Sequence, residues 1–257
     1  MKRNISLLVF FLLTVVMVNA APSAIVEFSS VAPSGHVLYY RIVGEGEVHV
    51  CFHNQYPELL GGFIDVPRAV KYNNVNYIVT GVADESFANC IRVQGISLPT
   101  TVYTVGSRAF YHCTDLRVVH LPKSLTEIGA HAFDGCTALV DMVLPNSVTL
   151  LGEYAFNDCV AIRHFVLSHG LKEIQPATFR NCKALTDILI PEQVSSIACD
   201  AFEGYEKLSV VIMLNVNPPV PGCERPFGTE VHIRVPSKAF DAYKASTDWG
   251  QYTLLSL

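Results

Sequence analysis

The sequence predicts a solenoid, a rod of equal short coils with a parallel β-sheet along one side. Three observations carry this. Phe87, Phe110, Phe133, Phe156, Phe179 and Phe202 recur every 23 residues without an insertion or deletion. Cys90, Cys113, Cys136, Cys159 and Cys182 keep the same step, with Tyr205 in the sixth place. Each unit also holds a stretch such as Leu116-Arg117-Val118-Val119-His120-Leu121, whose alternate residues point inward until Pro122 stops the pairing. A constant period of this length marks a fold in which each unit buries its apolar side only against its neighbours.

Taken in chain order, residues 1–20 read as a secretory signal peptide. Lys2 and Arg3 precede the apolar run Ile5 to Val18, and Val18-Asn19-Ala20 suits a cut ahead of Ala21. The run is about fourteen residues, short of the roughly 20 that span a bilayer. No membrane span is expected once it is removed, so the protein is expected to be exported: secreted, at the cell surface, or periplasmic. Loss of Lys2 and Arg3 moves the net charge from −5 to −7, which argues against nucleic acid as a partner. With 50% hydrophobic and 16% charged residues and a mean hydropathy of +0.32, the chain is too apolar to stay disordered.

Residues 21–77 are expected to form a β-rich cap, since a solenoid exposes an apolar end that needs an atypical cover. His36 to Ile42 and Val48 to Phe52, joined across Gly44-Glu45-Gly46, read as a hairpin. Gly62 to Val66 and Asn76 to Thr80 read as a second pair. Residues 78–216 make six coils of 23 residues. In each, the strand is followed by a corner, a second extended segment and a turn. In the turn, as in Gly129 to Cys136, apolar residues three and four apart predict a helical or 3₁₀ turn opposite the sheet. Residues 217–257 make the second cap: a strand over Val231 to Val235, then a helix from Lys238 to about Ser246 with Ser237 as its cap. Phe240, Tyr243 and Trp249 are expected to cover the last coil.

The unit Leu139-Val-Asp-Met-Val-Leu-Pro-Asn-Ser-Val-Thr-Leu-Leu-Gly-Glu-Tyr-Ala-Phe-Asn-Asp-Cys159 resembles the repeat of the BspA-like leucine-rich repeat proteins almost position by position. Val235-Pro236 and Ala242-Tyr243-Lys244 resemble the family's usual C-terminal strand and helix. Local departures are Ser168 and Leu214 in place of Pro, Gln175 and Ala198 in place of Gly, Ser86 in place of Ala, and Tyr205 in place of Cys. The resemblance implies a leucine-rich repeat solenoid and a bacterial surface adhesin that binds host matrix components.

Catalytic motifs are absent. No nucleophile elbow, phosphate-binding loop or zinc spacing occurs, and no cofactor is expected. Five cysteines share one column, where residues in register lie about 4.8 Å apart with parallel Cβ vectors, so these are expected as buried free thiols. A bridge is left open for Cys51, Cys199 and Cys223. His120, His164, Asp141 and Asp187 point outward as solvated residues, with a metal or substrate patch as the alternative.

What remains is a surface. Val143, Val166, Leu189 and Ile212 are expected to form an exposed apolar stripe edged by Arg117, Arg163, His164, Asp141 and Asp187. The function expected is a non-catalytic exported module that offers this face to a protein or glycoprotein, a host matrix or envelope component. The alternatives are a scaffold that self-associates as a homodimer through the stripe, and an enzyme with a site between cap and solenoid. Two readings compete with binding: the β-branched residues are simply good strand formers, or the C-terminal cap folds back over them.

Overall fold

The computed structural model describes residues 26–51, 57, 60–223, 226–228 and 230–257. The expected signal peptide and its cut, and Phe52 of the expected hairpin, lie outside them. The chain opens with β1 (Glu27–Val31), β2 (Val37–Gly44) and β3 (Glu47–Cys51), an antiparallel meander in which Tyr40 faces Val50. Next come β4 (Gly61–Asp65), β5 (Ala69–Tyr72) and β6 (Val75–Val82). The expected second pair is corrected here. β4 and the strand through Asn76 to Thr80 exist but do not pair with each other. β6 pairs antiparallel with β5 across Asn73-Asn74, both left-handed, and parallel with β3. The reason is that the 23-residue step already applies: Gly81 and Val82 stand beside Thr104 and Val105, one step on.

Each coil then supplies two short strands: β7 (Arg92–Ser97) and β8 (Thr104–Val105), β9 (Val118–His120) and β10 (Glu127–Ile128), β11 (Asp141–Val143) and β12 (Leu150–Leu151), β13 (His164–Val166) and β14 (Glu173–Ile174), β15 (Asp187–Ile190) and β16 (Ser196–Ile197), β17 (Val210–Met213) and β18 (Val220–Pro221). Two more follow, β19 (His232–Val235) and β20 (Thr253–Ser256). One side of the rod carries β4-β7-β9 and β11-β13-β15-β17-β19-β20; the other carries β1-β2-β3-β6-β8-β10-β12 and β14-β16-β18. The solenoid pairings are parallel and keep the 23-residue step, except that of β16 with β18, where Ser196 stands beside Val220, 24 residues on. With the strand positions that both caps add, the stack reaches about eight turns.

The six column phenylalanines are buried, and successive rings lie 5.2, 5.0, 5.1, 6.1 and 5.2 Å apart. The one wide gap, between Phe156 and Phe179, is where Phe165 stands edge-on to both rings at 4.8 and 4.7 Å, a favoured aromatic geometry. Phe227 adds a seventh ring 5.0 Å beyond Phe202.

The cysteines do more than fill space. Cys113, Cys136, Cys159 and Cys182 donate their thiols at 3.0–3.3 Å to the carbonyls of Phe87, Phe110, Phe133 and Phe156 in the preceding coil. Hydroxyls repeat the device at the corners. Thr101, Ser124 and Ser147 donate to the carbonyls of Val79, Val102 and Leu125. Where the next position is Gly170, Ser168 supplies the bond to Val148 instead, which accounts for Ser168 in place of proline.

The expected helical or 3₁₀ turns are present as single i→i+3 turns rather than continuous helix. Five of the six turns contain left-handed residues four apart, for example Glu85 and Asn89, Arg108 and His112, His131 and Gly135, and the sixth has Gly204 alone. A left-handed residue every turn stops a helix. The amides therefore alternate: Cys90 donates back to Phe87, whereas Phe87 and Asn89 donate across to Ala109 and Tyr111 of the next coil, both at 2.7 Å.

At the far end, helix α1 (Phe240–Ala245) follows a 3₁₀ turn, Ser237–Ala239. Ser237 makes no cap bond to it; its hydroxyl reaches Ser256 and the Leu257 carbonyl. Tyr243 and Trp249 are buried over the last coil, and Trp249 Nε1 donates to Pro219. Tyr205, in the sixth cysteine place, accepts the Gly228 N–H and ties the cap down. Cys199 and Cys223 form a disulfide, 24 residues apart and so one residue off the repeat, with a Cα separation of 5.1 Å.

Candidate functional site

Strands facing inward with one residue face outward with the next, so each coil offers two outward side chains on the first side. The register sets Val143 beside Val166, Val166 beside Leu189, Leu189 beside Ile212, and Ile212 beside Arg234. Val143, Val166 and Leu189 are 64%, 51% and 38% exposed. Ile212 is partly buried, so the open part of the stripe is its first three members. The neighbouring column sets Asp141 beside His164 and Asp187 beside Val210; Asp141, His164, Asp187, Arg117 and Arg163 are all exposed. Among the described residues the C-terminal cap does not fold back over this face. Its strands β19 and β20 lengthen the sheet and leave the outward side bare.

The face continues toward the N-terminus in a way the repeat does not reveal. Phe63 on β4 lies across Gly95, where a Cβ would sit 2.5 Å from its ring, and reaches His120 with ring centres 5.9 Å apart. Phe63 precedes the periodic region, so no column marks it.

On the second side, Glu27, Arg41, His49, Gly81, Thr104 and Glu127 form one row across five strand pairings. An open groove of about 340 Å³ lies over it, lined also by Asp84 and Ser107. Its groups are spoken for or apart. Arg41 is held by Glu27 at 2.8 Å, and the Asp84 carboxylate accepts the Ser107 N–H at 2.7 Å. Burial lowers the pKa of His49, and no hydrogen bond joins its ring to Thr104 or Ser107 among the described residues. Nucleophile, base and orienting group are thus not linked as acyl-transfer chemistry arranges them.

Burial pushes the thiols of Cys51 and Cys90 up to about 12 and also raises those of Cys113, Cys136, Cys159 and Cys182. All six are buried and free, and a buried protonated thiol is a poor nucleophile. Among the described residues no three His, Cys, Asp or Glu side chains converge on a metal position, the row Asp141, His164 and Asp187 included. Nor is any described helix long and apolar enough to cross a membrane.

The solved structures that the chain is similar to include bacterial leucine-rich repeat proteins. It is similar to the leucine-rich repeat protein of T. pallidum, with 27% identity over 76% of this chain and 85% of that one, and a TM-score of 0.60. A leucine-rich repeat protein from Bacteroides ovatus shares the fold at 18% identity, covering 85% and 77%, with a TM-score of 0.50. One from Eubacterium ventriosum does so at 24% identity, covering 68% and 49%, with a TM-score of 0.51. No curated protein matches the chain. The family model for the BspA type leucine rich repeat region matches residues 80–209 in six copies. Such repeats are commonly protein-interaction modules. With that match spanning half its length, this chain belongs to the BspA-type leucine-rich repeat family.

Proposed function

We propose that the protein is an exported, non-catalytic adhesion module that captures a protein or glycoprotein, a host matrix or envelope component, on the first side of its solenoid. The observation that carries this reading is the uncovered stripe of Val143, Val166 and Leu189, set in register and flanked by charge. An apolar centre with a polar rim is how protein-binding faces are built. Asp141, His164 and Asp187 supply one rim, and Arg117 and Arg163 sit one residue before their strands. Ile212 closes the stripe beside Arg234. The basic start and apolar run of residues 1–20 support export.

The double substitution Val166→Lys with Leu189→Lys tests the face. Partner capture from matrix and envelope fractions should fall to background while circular dichroism and melting stay unchanged. Undiminished capture would remove the stripe from the reading.

A further inference from the structure

The two ends of the first-side sheet are closed differently. At the start, side chains engage the backbone of β4: Ser34 Oγ accepts the Asp65 N–H at 3.2 Å, and His36 Nε2 bonds the Gly61 carbonyl at 2.8 Å. At the other end, β20 has β19 on one side and no strand on the other among the described residues. The Leu257 N–H donates to Val235 beyond β19's last outward residue at 2.8 Å. Successive backbone groups of a strand point to opposite sides, so Thr253 and Leu255 share that direction. The N–H and C=O of Leu254 and Ser256 therefore turn to the open edge.

Open edges are normally blunted by charge, proline or a bulge. Thr253-Leu254-Leu255-Ser256 has none of these. Leu255 and Leu257 are 41% and 51% exposed. Charge favours a second copy at this end as well. The whole chain is at −5, but residues 231–257 carry three cations (Arg234, Lys238, Lys244) against two side-chain carboxylates (Asp241, Asp248), so little like-charge repulsion opposes a second copy here.

We propose that β20 pairs antiparallel with β20 of a second copy about a two-fold axis through Leu255. That centre sets Leu254 of one copy opposite Ser256 of the other, twice over. Residues so opposed exchange both backbone bonds, so all four free groups on each strand are used. Leu255 meets Leu255, Thr253 meets Leu257, and an isologous contact closes as a dimer rather than a filament. The two first-side sheets become one, with both binding faces turned the same way. Five residues a side make a small contact, and the dimer is expected to form at about 100 μM protein, as small interfaces do. The pairing is independent of the stripe reading.

Sedimentation velocity over a concentration series should show a monomer–dimer equilibrium. Leu255→Lys, at an exposed side chain, should raise the dissociation constant at least tenfold with the melting temperature unchanged. Leu255→Cys should give a disulfide-linked dimer under mild oxidation, because residue 255 faces its own copy. Thr253→Cys, which faces 257, should not. Val166→Lys with Leu189→Lys should leave the dimer intact, which separates this pairing from association through the stripe. A protein that stays monomeric and fails to cross-link at 255 overturns the proposal. So does a dimer that Leu255→Lys leaves unaltered, one that the stripe substitutions abolish, equal cross-linking at 253 and 255, or an edge that takes only a strand of another protein.

Discussion

Inside the coils a slot keeps its residue; outside, the same slot changes from coil to coil. The inward columns read Phe six times and Cys five times, whereas one outward column runs Gly95, Val118, Asp141, His164, Asp187, Val210. The difference follows from what each side touches. An inward side chain must stack on its own kind one coil away, with rings 5.0–6.1 Å apart and thiols bonded to the coil before. An outward side chain meets solvent or a partner. Stability therefore resides in the spines, while the recognition proposed above belongs to the skin, and the two should separate under perturbation.

The largest separation is expected from alkali. The six free thiols have their folded pKa values raised by burial, to about 12 at Cys51 and Cys90, against about 8.5 in an unfolded chain. Their stabilisation is complete below the unfolded value. As pH rises above it, the unfolded state ionises first, and stability falls by roughly 1 kcal/mol per pH unit for each thiol. Six together exceed the whole stability of an ordinary domain within about two pH units. Melting temperature should collapse between pH 9 and about 11, measured by scanning calorimetry, while at pH 8 a thiol reagent should label none of the six until the chain unfolds. Early labelling at pH 8 would place the cysteine spine in contact with water.

Next in size is Phe156→Ala, in the middle of the ring stack. Removing a fully buried aromatic costs about 3–5 kcal/mol, and a urea melt showing less than about 1 kcal/mol would mean that the stack bears little load. The disulfide comes third. Replacing Cys199 and Cys223 with Ser releases a 24-residue loop that joins the last coil to the cap, at a cost of about 3 kcal/mol on the chain-entropy account. Hydrogen exchange should then rise first around Phe227 and Trp249, not around Phe133.

The spines were legible because stacking forces identity at a fixed period, and Phe110 or Cys136 announces its place by recurrence. What the period does not carry was hidden. The thiol bond to the preceding Phe carbonyl depends on a 26-residue offset that spans two columns. Phe63 belongs to a strand ahead of the regular step. The bridge between Cys199 and Cys223 follows the 24-residue step of β16 to β18, one off the repeat, so spacing alone left it open. Apolar residues three and four apart gave the turns as helical or 3₁₀, but only backbone angles reveal the left-handed residues that keep each to a single turn. On the candidate face the alternation gave the outward direction of Val143, Val166 and Leu189. The burial of Ile212 depended on β19, a strand outside the repeat.

The smallest expected effect tests the comparison most directly, because it sits one residue from a large one. Phe165 and Val166 are neighbours on β13. The first is buried between two rings and the second is half exposed. Phe165→Ala should share the cost of the ring stack. Val166→Lys should change stability by no more than about 0.5 kcal/mol, since surface substitutions without a special role rarely do more. A lysine there also keeps its stem along Val143 and Leu189 while the ammonium stays in water. If chemical denaturation instead finds the two substitutions equally costly, the outward face is part of the core, and the division between spine and skin fails at the point where it is sharpest.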